Sequence, residues 1–404
     1  LPWLSRSDKK IDQASPSIEM STKAFGSARK KPLMSHCELK HEFLKFNATL
    51  PLEEASTPPA SWYTRDDFLA AERQTVFADH WLFALRKNEL PKKGEYCTVN
   101  VAGQSLIVVR ETAGKFHVFR NVCRHKATEL VQGHGCANEF VCPYHGWTYG
   151  TDGELLRAPE LGGVKNFNRK EQGLVPVAFE EWGPFVFVAL NEPSWKLKTS
   201  LQELKSRLDA TDWQSLEFVT RRSYELQCNW KVFVDNYLDS GYHVAHLHKG
   251  LASQLGLDSY RAEIFEKYSI QTCDSGDSSA KTEANLDFPE RIGKGAIYAW
   301  LYPNLMVNRY GDFMDTNLVV PLDANRTQVI FDYYYAGKPE EEFLKKSLEA
   351  SDKVQQEDIA ICESVQRGLN SGAYQQGRYS ALREEPELHF HRLLAEDFRQ
   401  VFNP

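Results

Sequence analysis

No run of this chain approaches the roughly 20 consecutive apolar residues that a bilayer-crossing helix needs, which excludes a helical membrane span. Positive charge is also short. Lys and Arg number 48 against 55 Asp and Glu, a formal net charge of −7, so a general nucleic-acid-binding surface is excluded. Cysteine is sparse: eight in 404 residues cannot build a disulfide scaffold, and only their spacing carries meaning. Internal repeats, a phosphate-cradling glycine loop and a dinucleotide fingerprint are all missing. A redox role would therefore draw its electrons from a separate protein.

Aromatics are plentiful at 12%, with nine Trp and seventeen Tyr. They suit a large core, and equally a site that surrounds something apolar or cationic. The length allows two or three domains, and 42% apolar with 25% charged residues is the balance of a globular chain. Residues 1–55 begin Ser- and Lys/Arg-rich without an apolar period and are expected to form a disordered or targeting-related tail. Residues 56–91 read as an N-terminal helical segment packing on the last domain, with an amphipathic helix over 66–80. Over 92–193 short runs such as Ser105-Leu106-Ile107-Val108-Val109, Phe116-His117-Val118-Phe119 and Phe185-Val186-Phe187-Val188-Ala189-Leu190 predict a small antiparallel β domain. Residues 194–404 are mixed. Helices are expected over 201–208, 230–248 and 340–369, strands over 296–302, 316–320 and 328–335, and a Ser-rich surface loop over 274–283. The fold class is α+β.

Two constellations carry chemistry. Cys123-Arg124-His125 is followed, after sixteen residues, by Cys142-Pro143-Tyr144-His145. Each half offers one thiolate and one imidazole. Tetrahedral zinc accepts such a set. Mixed Cys/His halves better suit a binuclear cluster in which one iron takes both thiolates and the other both imidazoles. Trp147 and Tyr149 can shield it, while His134 and Cys136 fit neither spacing and read as loop or core. The second constellation runs from Asn229-Trp230-Lys231 through Asp235 and Asp239 to His243, His246 and His248. Two His and one carboxylate on one face hold non-haem Fe(II) with positions left open. In a regular helix His243 pairs with His246, whereas His248 needs the helix to end first; both alternatives stand. For the carboxylate, Leu344, Leu348, Val354, Ile361, Val365 and Leu369 make a helix-period stripe on which Asp358 falls. A buried carboxylate costs several kcal/mol unless it is paired or meets a cation. Glu357 and Glu363 point off the stripe.

The pattern Cys-x-His-x16-Cys-Pro-Tyr-His-Gly-Trp closing at Trp147 resembles the [2Fe–2S] motif of the Rieske non-haem iron oxygenases. Lys126-Ala127 departs from the usual Arg-Gly, which touches the loop and not the ligands. The resemblance implies a [2Fe–2S] Rieske cluster on Cys123, His125, Cys142 and His145, in an antiparallel β domain. It also implies a mononuclear non-haem Fe(II) on His243, His248 and Asp358, in a helix-grip, START-like catalytic domain. The family spacing His-x4-His favours His248 over His246, and the run Glu357-Asp358-Ile359-Ala360-Ile361-Cys362-Glu363 is similar to the family's ligand helix. By the same resemblance Asp239 bridges the metals, relaying from His145 of a neighbouring subunit to His243. Three residues separate Asp239 from His243 where two are usual; a helical bulge is expected to absorb the extra one, and Asp235 is the alternative bridge.

Over roughly residues 61–391 the likeness extends to plant choline monooxygenases and related quaternary-amine oxygenases, on Asp235-Asn236-Tyr237-Leu238-Asp239, Tyr302-Pro303-Asn304 and Asn308-Arg309-Tyr310-Gly311 among others. What this implies is hydroxylation of choline to betaine aldehyde hydrate, the first step of glycine betaine synthesis. The reaction would use O2 and ferredoxin electrons, in a head-to-tail homotrimer in the chloroplast stroma. A second reading changes the substrate to glycine betaine, carnitine or another N-methylated amine. A third is a zinc-stabilised binding protein without catalysis. A permanent cation is held by aromatic faces; Tyr298, Trp300 and Tyr302 alternate on one expected strand and Tyr310 lies on the next. Such stripes also build plain core.

Overall fold

The computed structural model describes residues 33–112, 115–276 and 289–402. Apolar residues alternating with polar ones become strand wherever Gly or Asn lets the chain reverse. In chain order these are β1 (Leu82–Arg86), β2 (Glu95–Val101), β3 (Gln104–Thr112), β4 (Lys115–Arg120), β5 (His134–Cys136) and β6 (Glu139–Val141). Next come β7 (Thr148–Gly150), β8 (Leu155–Arg157), β9 (Ala178–Trp182) and β10 (Phe185–Ala189). They pair antiparallel in the orders β4-β3-β2-β5, β6-β7-β8 and β1-β10-β9. Alternation on β3 splits its apolar residues between two cores. Leu106 and Val108 join the main one. Ile107 and Val109 join Phe119, Phe140, Trp147 and Tyr149 around Cys123 and Cys142.

Seven longer strands make the second half: β11 (Glu217–Leu226), β12 (Arg261–Phe265), β13 (Tyr268–Asp274), β14 (Gly295–Leu301), β15 (Leu305–Tyr310), β16 (Phe313–Asp323) and β17 (Arg326–Tyr335). They form one antiparallel sheet ordered β11-β17-β16-β15-β14-β13-β12. Its register sets Tyr298, Asn308, Asp315 and Tyr333 side by side across four strands. On the opposite face Ala299, Leu301, Val307, Met314 and Tyr334 pack against Trp182, Phe185 and Trp213. The face with Tyr298 is gripped by the helices Trp230–Leu238, Glu341–Asn370 and Glu385–Phe402. This is the expected α+β, helix-grip arrangement.

Two expectations need correction. Residues 33–55, read as tail, are folded. Ser35 and Glu38 form a reciprocal cap on the helix His36–Phe43, and Phe43 and Phe46 pack their rings on Trp62. A single two-turn helix is too short to show a period, which is why the sequence hid it. The helix expected over 66–80 ends early, spanning Asp66–Gln74. Residues 1–32 of the expected tail, and the part of the Ser-rich loop within 277–288, lie outside the described residues. Among the described residues no helix is long and apolar enough to cross a membrane.

Candidate metal centres and pocket

Two tight loops present the first constellation. The Ala127 N–H donates to Cys123 O at 3.0 Å and the Gly146 N–H to Cys142 O at 3.0 Å, so each Cys opens a closed turn. Ala127 sits at φ 59, and its Cβ there costs about 1–2 kcal/mol. Both sulfurs are buried. The His125 and His145 rings lie 4.6 Å apart, and His125 stacks on Trp147 at 4.9 Å. Nδ1 of His125 is buried with no hydrogen-bond partner, as a ring nitrogen reserved for a metal would be. Burial and the neighbouring His145 hold the His125 pKa down, favouring the neutral imidazole that ligates. The Tyr149 hydroxyl lies 3.4 Å from Cys123 Sγ and accepts the Arg124 N–H at 3.0 Å; hydrogen bonds to sulfur tune cluster potentials. His134 and Cys136 are exposed on β5.

Among the described residues, sets of three donors within 4.8 Å of one another occur at His243/His248/Asp358 and at Asp235/Glu387/His391. The Cys/His quartet supplies no such set.

The second constellation depends on a broken helix. Trp230–Leu238 starts on the Asn229 cap and stops at Asp239. Ser240 and Gly241 then take φ 53 and 70, and a new turn spans Val244–Leu247. The extra residue is therefore accommodated by a left-handed break and not by a bulge within a continuous helix. That break brings His243 and His248 together, rings 5.0 Å apart and nearly perpendicular, and leaves His246 exposed. Asp358 meets them from the long helix: its Oδ1 lies 3.0 Å from His248 Nε2 and 3.9 Å from His243 Nε2, and accepts the Asn236 amide at 2.8 Å. Both rings are held from behind. Asp239 Oδ2 lies 2.7 Å from His243 Nδ1, and Glu357 Oε2 lies 2.7 Å from His248 Nδ1. Burial alone would lower the His248 pKa, but Asp358 and Glu357 outweigh it and raise it; the space between them calls for positive charge. Asp235 lies elsewhere, accepting from Tyr63 Oη at 2.9 Å and paired with His391 Nε2 at 3.1 Å.

Above these three donors lies a cavity of about 150 Å³ whose walls include Tyr237, Tyr260, Tyr298, Tyr310 and Phe331. Tyr298 and Tyr310 were expected there. Trp300 and Tyr302 were expected too, but they are core. Trp300 packs on Phe390 at 5.3 Å and Tyr302 donates to Asp397 at 2.5 Å. They share the face of Tyr298, yet a strand advances about 3.4 Å per residue, which carries them past the cavity and beneath the last helix.

Two family models match this chain, the Rieske [2Fe-2S] domain over residues 80–168 and the ring hydroxylating alpha subunit (catalytic domain) over 213–399. A choline monooxygenase, chloroplastic, of Arabidopsis thaliana is 43% identical over 372 residues, 88% of this chain and 86% of that protein. The chain belongs to the Rieske non-haem iron oxygenases. The carnitine monooxygenase oxygenase subunit of Escherichia coli (strain K12) is 31% identical over 360 residues, covering 86% of this chain and 95% of that protein. The crystal structure of a quaternary ammonium Rieske monooxygenase in complex with L-carnitine matches with TM-score 0.73 at 29% identity, over 86% of this chain and 98% of that one.

The oxygenase accordingly carries a [2Fe–2S] cluster and a mononuclear non-haem iron. The donors described above fit both groups: buried thiols beside an unpartnered imidazole nitrogen for one, two backed imidazoles facing a carboxylate for the other. Sequence reasoning missed Tyr237, Tyr260, Arg291 and Asp315 in the cavity wall. Tyr237 had a readable signal, since it follows Asn236 in the segment leading to His243 and His248. Arg291 and Asp315 had none.

Proposed function

We propose that this oxygenase hydroxylates the alcohol carbon of choline, giving betaine aldehyde hydrate. The observation that carries the reading is an aromatic-walled cavity ending on His243, His248 and Asp358. In this reading Cys123, Cys142, His125 and His145 hold the cluster, and His243, His248 and Asp358 hold the iron. The two groups, when bound, deliver electrons singly and activate O2. The protein's own part is positioning. Asp239 and Glu357 accept the Nδ1–H of His243 and His248, fixing the tautomer that turns Nε2 to the metal. The aromatic faces take the trimethylammonium, each worth about 0.5–2 kcal/mol, and orient the alcohol carbon toward the three ligands. One O2, two electrons and two protons yield the hydrate and one water. The electrons come from a ferredoxin or equivalent donor, in the chloroplast stroma.

The working unit in this proposal is a head-to-tail homotrimer in which His145 of one subunit meets Asp239 of the next. Tyr144 is 63% exposed beside His145, and uncovered Tyr242 and Ile361 flank the iron site at 52% and 40%, apolar surface that a second copy would cover. Exposed Arg124 and Lys126 put positive charge at the cluster tip, complementary to the Asp239 carboxylate that this docking would meet.

Arg291 in the cavity wall favours a second reading, a carboxylate-bearing N-methylated amine such as glycine betaine or carnitine. Single-turnover oxidation of pre-reduced enzyme, offered choline, glycine betaine and carnitine in turn, decides between them. Betaine aldehyde from choline is expected. Formaldehyde from another amine, with choline untouched, moves the function to the second reading.

A further inference from the structure

Away from the iron ligands, the cavity wall holds two charged side chains, Arg291 and Asp315. The Arg291 guanidinium donates to Ser347 O at 3.1 Å and lies 5.5 Å from the Tyr310 ring centre. Asp315 is held differently, because its hydrogen-bond partners are neutral. The amides of Asn308 and Asn317 donate to Oδ1 at 2.7 and 2.8 Å, and the Tyr310 hydroxyl donates to Oδ2 at 2.7 Å. Neutral donors orient a carboxylate and leave its charge in place. Only 5% of Asp315 is exposed; a buried carboxylate is costly, and Arg291 in the same wall offsets part of that cost while a second cation in the cavity would offset more. Burial pushes its pKa up against the pull of those three donors and of Arg291.

The register puts this anion in one row with Tyr298 and Tyr333, and Tyr310 stands against it. The surrounding walls offer ring faces, and three of the nearest polar groups are already turned to Asp315. A primary ammonium, with three protons to satisfy, is poorly served by such a site. A quaternary ammonium needs no acceptor and is served by ring faces and a nearby negative charge. We propose that Asp315 is the counter-charge that selects the trimethylammonium end of the substrate over a neutral group of the same shape. The inference rests on reading the cavity as a quaternary-amine site. It makes Asp315 a specificity determinant and leaves bond making to the iron site.

Asp315→Asn keeps the shape and removes the charge. The experiment is calorimetric binding of tetramethylammonium and of 3,3-dimethylbutan-1-ol, the uncharged carbon isostere of choline, to the metal-loaded enzyme. In Asp315→Asn the affinity for tetramethylammonium is expected to fall about tenfold or more. That for the isostere should stay within about twofold, and Asp315→Glu should keep the preference for the cation. An unaltered preference in Asp315→Asn overturns the proposal, as does equal loss of both ligands, which would make Asp315 a structural residue only. Equal affinity of the unmutated enzyme for cation and isostere overturns it too, whether or not the variants fold. Tetramethylammonium has no alcohol, so failure to oxidise choline would remove the choline reading while leaving this result standing.

Discussion

At the scale of single residues, the iron site is decided by what stands behind each histidine. Asp239 and Glu357 each lie 2.7 Å from an Nδ1, so both Nε2 atoms face Asp358. Removing the charge behind one ring should weaken metal binding without disturbing the distant cluster. Glu357→Gln is expected to lower Fe(II) affinity about 10–100-fold, measured by iron titration, with the visible spectrum of the [2Fe–2S] cluster unchanged. An unchanged iron affinity would remove Glu357 from the site. The proposed cluster residues could be picked from the sequence because each Cys/His pair sits in one short loop, where spacing and geometry are nearly the same thing. Asp315 was not, because its meaning comes from Asn308, Tyr310 and Asn317 across a strand pair. Trp300 and Tyr302 show the same limit from the other side: alternation fixes which face a residue takes, and not how far along the sheet the cavity ends.

Among the elements, the break after Leu238 and the long helix matter most. The helix was readable from its period, but the apolar stripe was only in part its inward face. Ile361 and Val365 are 40% and 45% exposed, while Gln355, Cys362, Gln366 and Leu369 are buried. Gln366 can take the buried face because it is paired there: its Oε1 accepts the Asn229 N–H at 2.8 Å and so ties the long helix to the cap of Trp230–Leu238. Asp358 lies on the true inward face as well as on the misread one, three residues after Gln355 and four before Cys362. The break itself needs Gly241, whose φ is 70 and where a Cβ would approach Tyr260 to 3.1 Å. Gly241→Ala should cost about 1–2 kcal/mol of local stability and shift His243 off its partners. Iron content and single-turnover rate should therefore both fall, while the cluster spectrum persists. If iron and rate are both retained, the break does not set the ligand geometry.

For the whole molecule, the question is whether one chain contains a complete electron path. The proposed path leaves through exposed His145 and enters through Asp239, and the apolar surface beside each is uncovered in a single copy. A closed ring of identical subunits with a heterologous interface satisfies every copy at once. That arrangement has a consequence which a monomer cannot imitate. His145→Ala should abolish the cluster spectrum and Asp358→Ala should abolish mononuclear iron, and each variant alone should be inactive. Co-expressed and purified together, they place an intact cluster from one subunit against an intact iron from its neighbour. Random mixing gives each iron site a one-half chance of being intact and a one-half chance of an intact neighbouring cluster. About one quarter of the unmutated activity per subunit is then expected. Zero activity in mixed particles that contain both metals would mean that the path runs within one chain, and the head-to-tail trimer would have to be given up.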